Sequence, residues 1–347
     1  MRRGYYGWDE AELPKAALEA RLARLQAGMR AGGLDALAVY TNIARPAAVS
    51  WLTGFTPYWS EGLLFVPPEG PVVLATALSK RVGEWMRAVT PVGDIVNTPK
   101  PADYCAQRLA GPGAKRLGVP ELDMFPAGQA AELLEAAPHV ELVDAAGLFQ
   151  AARLQRDGAE RALFAHAAVI AKEALAGIDA TPDRDACGLA GAVEKAMREA
   201  RAEDVQITLA PDLASDTRFV RVDRVENVGA GFAIRASLAY KSTWVRRTRS
   251  IAIDATLAAR FAALESAMDG LIARHDPMRP LEAQIGAAFA AMPGASITRW
   301  TLEDCRGSYP LEIVAREGNS NAVAGACSVL TVHAALEGAQ WVATRPL

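Results

Sequence analysis

Between Ile234 and Ile251 the chain reads IRASLAYKSTWVRRTRSI, and Arg235, Arg246, Arg247 and Arg249 all fall within it. Apolar and polar residues alternate as they do in a pair of neighbouring strands. A guanidinium only donates hydrogen bonds, so arginines brought together suit a carboxylate or phosphate and repel a metal cation. The cluster is local, because the whole chain carries a formal net charge of -3. Residue types leave two outcomes open. Either these arginines meet a small anionic ligand, or they turn outward or pair with acids elsewhere in the chain.

Other catalytic signatures are missing: the sequence has no Gly-rich phosphate loop, no GxSxG and no HExxH. Three of the four histidines, His139, His166 and His275, read as surface or packed residues. His333 differs because it interrupts the apolar run SVLTVHAAL, and a titratable ring inside a strand marks a candidate proton carrier. Cys105, Cys187, Cys305 and Cys327 are far apart in sequence and read as reduced core thiols.

Those residues need elements to position them. Residues 12–32 repeat apolar positions at helical spacing and stop at Gly32-Gly33, and LDALAVY follows as a strand. LLFV and VVLATA flank Pro67-Pro68-Glu69-Gly70 and read as a hairpin. A helix over 79–88, a strand over 93–97, a helix over 102–110 and strands at RLGVPE and HVELVDA complete an α/β domain over 1–147. From 148 one Ala-rich helical run reaches about Pro182, and a second helix covers 185–201. Strands at 205–210, 229–240 and 243–254, helices at 256–274 and 281–291, and short C-terminal strands follow. Helices on a mainly antiparallel sheet are therefore expected over 148–347.

RLARLQAGMRAGGLDALAVYTNIARPAAVSWLTGF followed by LLFVPPEGPVVLATA resembles the N-terminal domain of the creatinase/aminopeptidase P group, the pita-bread hydrolases. DRVENVGAGFAIRASLAYKSTWVRRTRSI resembles, without a gap, the two-strand segment carrying that family's first metal ligands. The resemblance implies an α/β creatinase-type N-terminal domain over 1–147 and an α+β pita-bread domain over 148–347. It also implies where metal ligands would stand: two acids at Arg235 and Arg246, a histidine on or near Gly307, a glutamate at His333, and a last glutamate with no counterpart near Gln340. The substrate-handling histidine position falls at Arg218. With those positions changed, the resemblance leaves Arg218, Arg235, Arg246 and Arg249 either holding a small anion where metals would sit, or turned outward or paired with acids such as Asp223, Glu226 or Glu312.

Such a site needs carboxylates to hold and bridge two cations, so the expectation is no metal and no cofactor. Creatinase itself works without metal, but its base falls in 215–220, where SDTRFV has no histidine. The leading expectation is a catalytically degenerate, metal-free relative serving as a binding or structural subunit, as a homodimer or beside an active pita-bread paralogue. The alternative is a metal-independent C–N hydrolase on a small anionic substrate, with His333 as base and Glu312 as its acid. The resemblance further implies that Phe55, Tyr58 and Trp59 complete a neighbouring subunit's pocket, with core or interface packing as the blander alternative, while Tyr5, Tyr6 and Trp8 suggest an arm packed on a neighbour. No apolar run approaches a membrane span, MRRGYYGWDEAELP lacks a signal-peptide core, and charge is near balance. A cytoplasmic protein without nucleic-acid or membrane partners is expected.

Overall fold

The computed structural model of the chain describes residues 7–57, 59–109, 113–178, 185–223, 227–306 and 311–347. Two compact units emerge, dividing between Leu163 and Phe164, with Arg306 grouped with the first. The expected boundary at 147/148 falls inside a helix, Ala146–Arg153, that packs on the first helix of the chain.

The first unit holds a six-stranded sheet, formed by β1 (Ala36–Asn42), β2 (Glu61–Val66), β3 (Val73–Thr76), β4 (Asp94–Asn97), β5 (Arg116–Val119) and β6 (Glu141–Asp144). Their order is β4-β3-β2-β1-β5-β6. The expected hairpin is β2–β3, with Phe65 opposite Val73 and Gly70 at φ 86 in the turn. Helices α1 (Lys15–Ala31), α2 (Ala47–Thr53), α3 (Gly83–Val89), α4 (Pro101–Arg108), α5 (Ala127–Ala136) and α6 (Ala146–Arg153) belong to the same unit. The sequence reading lacked α2 and α5. All seven residues of α2 are buried, so AAVSWLT has no polar face to reveal a period.

The single helical run expected from 148 is broken, with α6 ending at Arg153 and α7 (Gly158–Ala176) beginning after it. Asp157 makes the break: its carboxylate accepts the Glu160 N–H at 2.8 Å, as an N-terminal cap does. Arg21 holds that carboxylate at 2.5 and 3.0 Å. Nearby, Trp51 has the guanidinium carbons of Arg21 and Arg153 at 5.5 and 5.8 Å from its ring centroid.

The second unit is built on an eight-stranded antiparallel sheet in the order β12-β11-β13-β14-β10-β9-β7-β8. Its strands are β7 (Asp204–Ala210), β8 (Val220–Arg221), β9 (Gly231–Tyr240), β10 (Thr243–Ala252), β11 (Ala295–Asp304), β12 (Glu312–Arg316), β13 (Val329–Leu336) and β14 (Ala339–Pro346). Helices α8 (Ala186–Glu199), α9 (Ala255–Ala273) and α10 (Leu281–Ala290) accompany it. Trp300, Leu302, Leu330, Val332 and Trp341 pack with Leu264, Met268 and Phe289 from α9 and α10 into the main core. Among the described residues no helix is long and apolar enough to cross a membrane.

Candidate functional site

The arginine-rich segment is the β9–β10 hairpin. Its turn is Lys241-Ser242, with both residues at positive φ, 46 and 61, the backbone of a two-residue hairpin turn whose twist matches its strands. The Glu203 carboxylate accepts the Ser242 N–H and anchors that turn. Tyr240 therefore faces Thr243, and the register runs on to place Arg235 opposite Thr248 and Arg246 opposite Ser237.

Side chains alternate between sheet faces, so residue types with even spacing on β10 share a face. Arg246 and Thr248 stand on one face with Arg235; Arg247 and Arg249 stand on the other. The interval of eleven between Arg235 and Arg246 is what this turn requires of two diagonal neighbours on one face.

That face is polar across several strands. Arg235, Thr248, Thr344, Thr331 and Thr301 follow one another along the register of β9, β10, β14, β13 and β11. The Thr248 and Thr344 hydroxyls are 2.7 Å apart, and Thr344 and Thr331 are 2.8 Å apart. Arg235 donates from Nε to Thr248 at 3.4 Å, and its guanidinium lies 3.8 Å above the Phe219 ring. Burial, with Arg246 and Arg299 nearby, pulls the Arg235 pKa down to about 10, although Glu303 opposes this. It stays charged at neutral pH.

Arg246 donates from Nε to Ser237 at 2.9 Å and forms a short ion pair with Glu303 on β11. His333 on β13 lies opposite Arg299, whose guanidinium donates to its Nε2 at 2.9 Å. Burial first, then the charges of Arg299 and Arg235, push the His333 pKa down to about 3. The ring is neutral near pH 7 with its proton on Nδ1. Among the described residues, the charges acting on Arg235 are thus two further arginines, Arg246 and Arg299, and one carboxylate, Glu303, with the neutral His333 ring beside Arg299.

A pair of divalent ions does not fit here. Guanidinium nitrogens offer no lone pair, Glu303 is engaged by Arg246, and the His333 Nε2 accepts from Arg299. Among the described residues no group of three or more His, Cys, Asp and Glu is placed to hold a metal ion.

The remaining residues singled out in the sequence are dispersed. Arg218 pairs with Asp216 at 2.7 Å, with 85% of its side chain exposed. Arg249 lies on the opposite sheet face, donating to the Leu175 and Ala176 carbonyls at 2.7 and 3.3 Å. Glu312 is exposed at the start of β12. Phe55 is buried in its own unit against Trp85, ring centroids 6.0 Å apart, while Trp59 is 45% exposed. Tyr58, Glu226, Gly307, Tyr5 and Tyr6 lie outside the described residues, and Asp223 is exposed. His166 packs edge-on against Tyr240 at 4.6 Å, and His139 bonds the Leu109 carbonyl at 3.0 Å.

Sequence reasoning missed Arg299, Glu303, Phe219 and the threonines. A signal existed: in ITRWTLED and VLTVHAAL, polar residues occupy every second position of otherwise apolar strands, at Arg299, Thr301 and Glu303, and at Thr331 and His333.

Residues 21–155 match the family model described as the Creatinase/Prolidase N-terminal domain. No curated protein matches the sequence. Solved structures do match the fold. The prolidase from Pyrococcus horikoshii OT3 is 15% identical with a TM-score of 0.66, over 94% of this chain and 93% of that one. The X-Pro aminopeptidase from Thermotoga maritima MSB8 is 14% identical with a TM-score of 0.69, over 92% and 93%. The N-terminal domain of FACT complex subunit SPT16 from Cicer arietinum (chickpea) is 14% identical with a TM-score of 0.62, over 95% and 92%. The α/β creatinase-type domain followed by an α+β pita-bread domain is the architecture expected from the sequence.

Proposed function

We propose, for a chain that carries a creatinase/prolidase N-terminal domain within the two-domain pita-bread fold, that it is a metal-free, non-hydrolytic binding or structural subunit whose polar sheet face holds a small organic anion. One observation carries this reading. Arg235 and Arg246, at the positions the resemblance gives to metal-binding aspartates, stand on one face with Arg299, and Glu303 is the acid among them. Around Arg235 the described residues set three cations against one carboxylate, which favours an incoming carboxylate or phosphate with Arg235 and Arg299 as its donors.

The hydrolytic alternative has less support. A general base needs a pKa near the working pH and a lone pair directed at the substrate; His333 is pushed to about 3 and its Nε2 already accepts from Arg299. Its role in this reading is to orient Arg299. The chain acts in the cytoplasm as a homodimer or alongside an active paralogue, with Trp59 at the contact. The same fold in a domain of a complex subunit, chickpea SPT16, is in keeping with work inside an assembly.

The test is direct. The purified chain, dialysed against chelator and supplied with Mn, Zn or Co, is assayed on an Xaa-Pro dipeptide, and its melting is followed with succinate. No cleavage, and stabilisation that Arg235→Gln removes, are expected. Stoichiometric retained metal with peptide cleavage overturns the reading. Co-purification with a co-expressed active paralogue tests the partner.

A further inference from the structure

The opposite face of the same hairpin carries a separate opening of about 780 Å³, lined by residues of β10, β14, the C-terminal end of α7 and α9. Arg247 and Arg249 enter it from β10, Arg345 from β14 and Lys172 from α7, while Glu265 and Asp269 enter from α9. Four cations meet two acids.

These charges are unequally committed. Arg345 is saturated: it pairs with Glu265 and Asp269 and donates to the Thr248 and Thr344 carbonyls at 3.0 and 3.2 Å. Arg249 spends one nitrogen on the carbonyls at the end of α7, which answers that helix terminus. Its other nitrogens, and all of those on the half-buried Arg247, make no hydrogen bond among the described residues. Burial lowers both pKa values from the ordinary arginine range, and for Arg247 the neighbouring Asp269 works against this. A half-buried guanidinium without an acceptor is costly, so an acceptor from outside the chain stabilises it. The Glu265 Oε1 is buried and has no hydrogen-bond partner among the described residues, so it is free to accept one from a ligand. Leu175, Ile251 and Phe261 give the opening an apolar wall.

We infer that this opening is a binding site for a small phosphomonoester, its dianion held by Arg247, Arg249 and Lys172 and its body lying on the apolar wall with a hydroxyl toward Glu265. Two surplus positive charges match a dianion, and arginine forks match phosphate oxygens. The site is separate from the anion site proposed above, because β10 sends Arg246 and Arg247 to opposite faces.

Calorimetric titration of the full chain with phenyl phosphate, with inorganic phosphate and benzoate as comparators, tests it. In Arg235→Gln, which disables the site on the other face, one saturable site for phenyl phosphate is expected, with inorganic phosphate and benzoate each about tenfold weaker. In that background Arg247→Gln should weaken phenyl phosphate about tenfold or more, and exposed Lys172→Gln about threefold. Lys172→Gln decides the matter if Arg247→Gln fails to fold. No saturable binding, or binding that survives Arg247→Gln and Lys172→Gln, overturns the inference. Binding lost in Arg235→Gln alone also overturns it and assigns the anion to the other face.

Discussion

One hairpin presents arginines to two sides, and the two sides treat them differently. On the hydroxyl-lined side, Arg235 and Arg246 meet threonines, a serine, the Phe219 ring and a single acid, Glu303. On the helix side, Arg249 meets backbone carbonyls and Arg345 meets two acids and two carbonyls. The charge of Arg345 is shared over many partners, whereas that of Arg246 rests largely on one carboxylate. Loss of one partner should therefore cost far more on the hydroxyl side, because a buried charge left alone pays its full desolvation.

The sharpest way to break this contrast is Glu303→Gln. It strands Arg246 beside Arg235 and Arg299 and should lower unfolding free energy by about 3 kcal/mol, read as a shifted urea midpoint at constant slope. Glu265→Gln on the other side should cost only about 1 kcal/mol, since Arg345 keeps Asp269 and two carbonyls. Equal losses in the two variants would remove the contrast.

The next effect is a pH dependence. The His333 pKa drops from 6.5 to about 3 on folding. Below pH 6.5 the unfolded chain takes up a proton that the folded chain does not, so this contribution is full above pH 6.5 and is lost on acidification toward pH 3. The slope is at most about 1.4 kcal/mol per pH unit, or about 2 kcal/mol over the first one and a half units. Urea unfolding between pH 7 and 5 should show a shallower acid decline in His333→Gln than in the parent chain; parallel curves would mean that His333 titrates normally.

Thr344→Val comes third. It removes the middle hydroxyl from the row and leaves those of Thr248 and Thr331, both buried, short of a partner, at about 1.5 kcal/mol in thermal or urea unfolding. Asp269→Asn is the smallest, below about 0.5 kcal/mol, because its side chain is 64% exposed and water screens the pair with Arg345. A larger loss there would show that the helix side depends on one partner too.

Much of this was legible in the sequence for physical reasons. The period-two alternation of IRASLAYKSTWVRRTRSI and the turn at Lys241-Ser242 fix the hairpin and, with it, the shared face of Arg235 and Arg246. The same alternation separates Arg249 from them by parity, a distinction that grouping by residue type passed over. Glu303 was invisible as the partner of Arg246 because β11 reaches the hairpin only through β13 and β14. Phe219, short in sequence distance from Arg235, lies outside any regular element and carries no periodic signal.

The row of threonine hydroxyls has a sense of travel. A guanidinium can only give, so with Arg235 Nε giving to Thr248 the cation favours the arrangement in which the Thr248 proton turns to Thr344 and the Thr344 proton to Thr331, although either hydroxyl of each pair can be the donor. In that arrangement each oxygen takes from one neighbour and gives to the next. If an anion drew Arg235 aside, the same three hydroxyls would be released to point the other way, so occupancy at β9 would be written into proton positions three strands away on β13.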